Sequence, residues 1–163
     1  SHTSYEHRTK NTSMSVKMTG FDRIKRRFDE QRLLKEVEVA MRRAVEKGAE
    51  SMVNTVETSG TNRVWSSPWF GRAGSGPGRI DTGEMLEGID SDAKRTRNSV
   101  TGEFGWLKES PYWWLFQEYG FEHYISHEII KGMESLEKAD NEVFQDLLDE
   151  LNDIANRFVS GRN

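Results

Sequence analysis

The stretch from Ile89 to Leu107 reads IDSDAKRTRNSVTGEFGWL. It predicts two strands, Ile89 to about Arg95 and Ser99 to Leu107, joined at Thr96-Arg97-Asn98. In the second strand Val100, Gly102, Phe104 and Trp106 share one parity, while Thr101, Glu103 and Gly105 share the other. That alternation is the signature of a strand with one buried face. A sheet with one buried face needs a helix or a second sheet to cover it.

The cover lies upstream. Over residues 29–56, Leu34, Val37, Met41, Ala44, Val45, Gly48, Met52 and Val56 recur at steps of three and four. That is a helical stripe, with Arg42, Arg43, Glu46, Lys47 and Glu50 on the opposite face. Downstream, Ser110-Pro111 opens a short helix, YWWLFQEYG, that ends at Gly120. A helical stretch is expected over 127–137, followed by a last helix to about Phe158. In that last helix Phe144, Leu147, Leu151, Ile154 and Phe158 form the expected apolar seam. The order predicts an α+β fold. A small antiparallel sheet packs against a long N-terminal helix and C-terminal helices.

Two segments fall outside this pattern. Residues 1–20 are rich in Ser, Thr and Lys and are expected to be a disordered arm ahead of a single domain at 21–163. Residues 57–79 hold no helical period and two of the three Pro. A loop of that length within a domain is usually functional or disordered. Because it also carries Trp65, Trp69 and Phe70, it is expected to be an extended arm or β-excursion that docks its aromatics on another surface.

Composition narrows the function. The 163 residues are 34% hydrophobic and 31% charged, yet 10% aromatic. Aliphatic core material is scarce beside many flat side chains. There is no cysteine, which excludes disulfides, thiolate metal sites and Cys nucleophiles. No apolar run reaches the ~18 residues of a membrane span. The polar N-terminus lacks the apolar core of a secretory signal, and a cytoplasmic origin is the default expectation.

The net charge of −4 is unevenly spread. Residues 1–32 hold 8 Lys/Arg against 4 Asp/Glu, and residues 81–163 hold 8 against 18. Such complementary ends suit head-to-tail association or a nucleic-acid-binding arm. The basic cluster Arg23, Lys25, Arg26 and Arg27 carries the second alternative, a nucleic-acid-associated module over 8–32.

Catalytic signatures are missing. His123 and His127 are four apart, but Lys131 breaks the HExxH pattern, and no metal site is expected. The glycine-rich run at 71–78 lacks the GxxxxGK[ST] spacing of a phosphate cradle. No GxSxG elbow is present. Neither an enzyme nor a cofactor is expected.

Two motifs remain. Ile80-Asp81-Thr82-Gly83-Glu84-Met85-Leu86-Glu87-Gly88-Ile89 reads as a helix cap and a short helix. Tyr112 to Gly120 ends in Phe116-Gln117-Glu118-Tyr119-Gly120. In this order, with a hairpin between them and helices on either side, they resemble the tail-component family of long-tailed bacteriophages. These are small head–tail joining or tail-completion (neck) proteins. The resemblance spans roughly residues 29–140. It implies an α+β subunit that assembles into a ring, commonly a hexamer, at the head–tail junction of the virion. Assembly would take place in the host bacterial cytoplasm. The implied partners are other copies of the chain, adjacent neck, portal or adaptor, and tail-tube proteins, and DNA passing through the lumen. No membrane and no catalytic residue is implied. Phe121 stands where the family usually has Thr, and a Pro-rich run after it is missing.

A ring subunit makes heterologous contacts that favour aromatic anchors. The expected interface residues are Trp65, Trp69, Phe70, Trp113, Trp114, Glu118 and Tyr119. Asp81, Thr82, Gly83, Leu86 and Gly120 are expected to be structural.

Overall fold

The computed structural model describes residues 9–17, 27–58, 84–108, 114–122, 127 and 129–159. Its elements in order are β1 (Asn11–Lys17), α1 (Arg27–Thr58), α2 (Glu84–Glu87), β2 (Ile89–Arg95), β3 (Ser99–Trp106), α3 (Trp114–Tyr119), β4 (Phe121–Glu122), β5 (Ile129–Ile130) and α4 (Ser135–Val159). The architecture is α+β, as the pattern of elements predicts.

The main sheet has the order β1-β3-β2, and both pairings are antiparallel. The β2–β3 hairpin turns at Thr96, whose N–H donates to Ser99 O at 2.8 Å. Val100, Phe104 and Trp106 are fully buried, together with Ile89 and Ala93 of β2. The opposite face is polar. There Ser15 Oγ meets Thr101 Oγ1 at 3.1 Å, and Asn11 Nδ2 donates to Glu103 Oε2 at 2.9 Å.

α1 crosses the apolar face. Each residue of the expected stripe from Leu34 to Val56 is buried. The contact is close because two side chains are missing from it. A Cβ on Gly48 would stand 2.6 Å from the Phe104 ring. A Cβ on Gly102 would stand 2.6 Å from Met41. The Phe104 ring therefore lies against the α1 backbone at Gly48, and Met41 lies against the β3 backbone at Gly102.

α4 lies antiparallel beside α1. Arg157 pairs with Glu36 at 3.6 Å, Arg43 with Glu150, and Ser51 Oγ donates to Glu142 Oε2 at 2.6 Å. Each step of seven or eight residues forward along α1 is matched by the same step backward along α4. That constant register is the mark of two helices packed almost parallel to a common axis.

Three expectations change. Residues 1–20 were expected to be disordered, yet Asn11–Lys17 form β1 and pair with all of β3 from Ser99 to Gly105. Thr12, Met14 and Val16 alternate with exposed Ser13, Ser15 and Lys17, so the strand is half-buried by a period of two. The domain therefore begins before residue 21.

Residues 127–137 were expected to be helical, but Ile129–Ile130 form β5 against β4. His127 and Glu134 have φ of 58° and 55°, which a right-handed helix does not admit. α4 starts only at Ser135.

The apolar seam of α4 is rotated by one residue at its start. Leu136, Ala139, Val143, Leu147 and Ile154 are buried, whereas Phe144 is 48% exposed. Glu142 and Glu150 reach α1 and bond to it.

Among the described residues no helix is long and apolar enough to cross a membrane.

Candidate assembly interface

The second sequence motif folds into a joint. α3 ends where the Gly120 N–H donates to Phe116 O at 2.8 Å. Gly120 takes φ 83°, the left-handed conformation that glycine adopts at least cost. The chain then turns into the β4–β5 hairpin. The next segment returns under α3, with the Met133 N–H donating to Gln117 O at 2.8 Å and the Glu134 N–H to Glu118 O at 3.0 Å.

Glu118 is 1% exposed. Its carboxylate accepts from Ser135 Oγ at 2.5 Å and from the Leu136 N–H at 2.8 Å. Both donors lie at the N-terminus of α4, where helix N–H groups have no partner inside the helix. A carboxylate there also meets the positive end of the helix dipole. Burial pushes the Glu118 carboxyl above its ordinary range. The Ser135 and Leu136 hydrogen bonds oppose that rise, and nearby Glu134 adds to it. Glu118 is thus the cap that fixes where α4 begins. This corrects its expected place on an interface, because its carboxylate is consumed within the subunit.

Trp114 stacks on Trp106, with ring centroids 5.0 Å apart and an interplanar angle of 21°. Phe116 meets Phe121 edge to face at 5.8 Å. Tyr119 Oη donates to Thr9 O at 2.6 Å, and the Trp106 N–H donates to Lys10 O at 2.9 Å. Leu86 of α2 packs on the same core, and the Lys108 N–H donates to Gly88 O at 3.2 Å. Leu86 from the first motif and Trp114, Glu118, Tyr119 and Gly120 from the second thus gather at the Trp106 end of the sheet. Trp114 and Tyr119 are half-buried there.

The other expected residues divide simply. Trp65, Trp69, Phe70, Asp81, Thr82, Gly83, Trp113, Arg23, Lys25 and Arg26 lie outside the described residues. Arg27 is the first residue of α1.

One surface feature was missed. Phe144 and Leu148 are 48% and 37% exposed on the outer flank of α4. Half-buried Leu151 and exposed Ala155 continue the line. The steps of four, three and four make this a second apolar row beside the buried one. The signal in the sequence was the pair of adjacent doublets, Val143-Phe144 and Leu147-Leu148, which place apolar side chains on two flanks of one helix.

His127 Nδ1 meets Glu122 Oε1 at 2.8 Å on an exposed turn. Among the described residues no group of three or more His, Asp or Glu side chains is placed to hold a metal ion.

Comparison with family models, curated proteins and solved structures returns no match to this chain.

Proposed function

We propose that this chain is a structural component of the bacteriophage head–tail interface, a neck, tail-completion or tail-terminator type of subunit. It acts by forming a ring with copies of itself and docking on neighbouring rings. It performs no chemistry.

The observation that carries the reading is the convergence around Trp106. Leu86, from the motif starting at Ile80, and Trp114 to Gly120, from the second motif, pack at one end of the sheet although the β2–β3 hairpin separates them in the chain. Motif pieces that meet in space form one packed unit, which is what a subunit scaffold needs. The α+β order of a long helix, a hairpin, a short helix and a closing helix agrees with the family that the motifs resemble.

The reading also accounts for the placement of charge and aromatics. α4 holds seven acidic and two basic residues, whereas the segment from Ser59 to Ile80 is purely basic and bears Trp65 and Trp69. A head-to-tail contact requires two unlike, complementary surfaces on each subunit.

Electron micrographs of the purified chain, alone and with its neck partners, test it. The expected result is a ring of several copies. A particle that stays monomeric in both preparations refutes it. Replacing Trp65 and Trp69 by Ala should impair ring formation while the thermal midpoint of the monomer holds. Equal loss of both would make these residues core.

A further inference from the structure

We infer that the outer row of α4, Phe144, Leu148 and Leu151, is the acceptor surface for the segment Arg63–Arg72 of a second copy of the chain. This rests on the assembly function above and names the surface it uses.

Phe144 and Leu148 are the exposed part of this row, while Leu151, partly packed on the core, anchors its end. The inner row of α4 packs against α1 in constant register. Single exposed apolar residues are ordinary. A row at heptad spacing on one flank of an amphipathic helix is a stripe, and stripes of this kind mark contact surfaces. From Phe144 to Ala155 it runs ~16 Å at 1.5 Å per residue.

The donor matches in length and charge. The segment reads RVWSSPWFGR, with Trp65, Trp69 and Phe70 held between Arg63 and Arg72. Trp65 to Phe70 span at most ~17 Å of chain. The donor has no acidic residue. The acceptor helix is acidic, with Asp140 one turn before Phe144 and Glu137 two turns before it. Opposite charges around an apolar centre orient an encounter and fix its register. The exposed parts of Phe144 and Leu148 give these aromatics an apolar centre to cover. A donor and an acceptor of different shape on one chain give a heterologous contact, the type that builds a ring when its rotation closes.

The absence of cysteine makes a clean test. Full-length Ser66→Cys and Leu148→Cys chains are mixed, oxidised mildly and run on a non-reducing gel. The expected result is a covalent dimer in clear excess over either variant alone. Adding Phe144→Glu to the Leu148→Cys chain should abolish the excess while its helical circular dichroism is unchanged. No excess dimer, with rings still visible in micrographs, overturns the acceptor surface and leaves the ring standing. A chain carrying both cysteines that closes only on itself overturns the second copy in favour of the chain's own segment. Cross-linked dimers that form the Phe144-dependent contact but never a ring would uphold the contact and refute the ring.

Discussion

Replacing Glu118 by alanine removes the acceptor for two donors at once. The Leu136 N–H belongs to the first turn of α4 and has no carbonyl within the helix. The Ser135 hydroxyl is fully buried beside it. A buried donor left without its acceptor costs about 1–3 kcal/mol. Because a hydroxyl can rotate toward another acceptor, the pair together should cost roughly 2–4 kcal/mol. That is a large share of the ~5–15 kcal/mol that holds a typical domain. Glu118→Gln keeps the shape and one acceptor oxygen, so its cost should stay below ~1.5 kcal/mol.

The two variants also separate charge from geometry. Burial raises the Glu118 carboxyl above its ordinary value of 4.5. The folded state then binds this proton more tightly than the unfolded state. Ionisation of Glu118 at neutral pH therefore costs stability. The cost is relieved as pH falls through the folded value and is gone below the unfolded one. Urea unfolding, followed by tryptophan fluorescence from neutral pH down to pH 4.5, measures this. Wild type should gain on Glu118→Gln as pH falls, since only wild type titrates at this position. Parallel pH profiles would refute the buried ionisable cap. So would an alanine variant as stable as wild type. If that variant lost assembly instead, Glu118 would belong on an intersubunit surface after all.

Three further outcomes follow from the packing. Gly48→Ala gains ~1 kcal/mol of helix propensity but drives a Cβ into the Phe104 ring, at a cost of about 1–3 kcal/mol. A lower thermal midpoint is expected, and a higher one would show that α1 does not lie this close to β3. Val16→Ser in β1 should cost about 1–2 kcal/mol in urea unfolding, because half-buried apolar surface is lost from a paired strand. A disordered arm would give no change. Arg43→Ala removes an exposed ion pair with Glu150 and should cost under ~1 kcal/mol, less at high salt. A larger loss would mean that the α1–α4 contact depends on charge rather than on its apolar row.

What the sequence makes legible depends on whether the cause is local. The α1 stripe is legible because eight apolar positions obey one period and the helix needs no distant partner to define it. The hairpin is legible because Val100, Phe104 and Trp106 obey strict parity. β1 is not, because Met14 and Val16 are its only apolar side chains and the reason for the strand is the open edge of β3, far along the chain. The start of α4 is set by Glu118, which lies 17 residues before Ser135. Within residues 127–137 Gly132 and Ser135 hint at that start, but the acceptor that fixes it lies outside the stretch. Glu118 itself was read as part of a surface motif, since a lone acid on a short helix is usually exposed and only the tertiary fold buries it.

The ambiguity at Phe144 has a physical origin that bears on assembly. α1 has 32 residues and is ~48 Å long, whereas a strand of seven or eight residues reaches only ~25 Å. The sheet cannot cover such a helix, and α4, at 25 residues and ~37 Å, supplies the remaining cover. For that task one apolar row suffices. Leu136, Ala139, Val143, Leu147 and Ile154 provide it, and the pairs Glu36–Arg157 and Arg43–Glu150 hold its register. Val143-Phe144 and Leu147-Leu148 nevertheless give α4 two rows. Sequence periodicity alone cannot choose between adjacent apolar positions, and the choice falls to α1, which takes the first of each doublet. The second of each doublet is left partly on the surface, Phe144 at 48% and Leu148 at 37% exposed. The α1 contact takes the first of each doublet, and the second is the part of α4 that the proposed contact between copies would use.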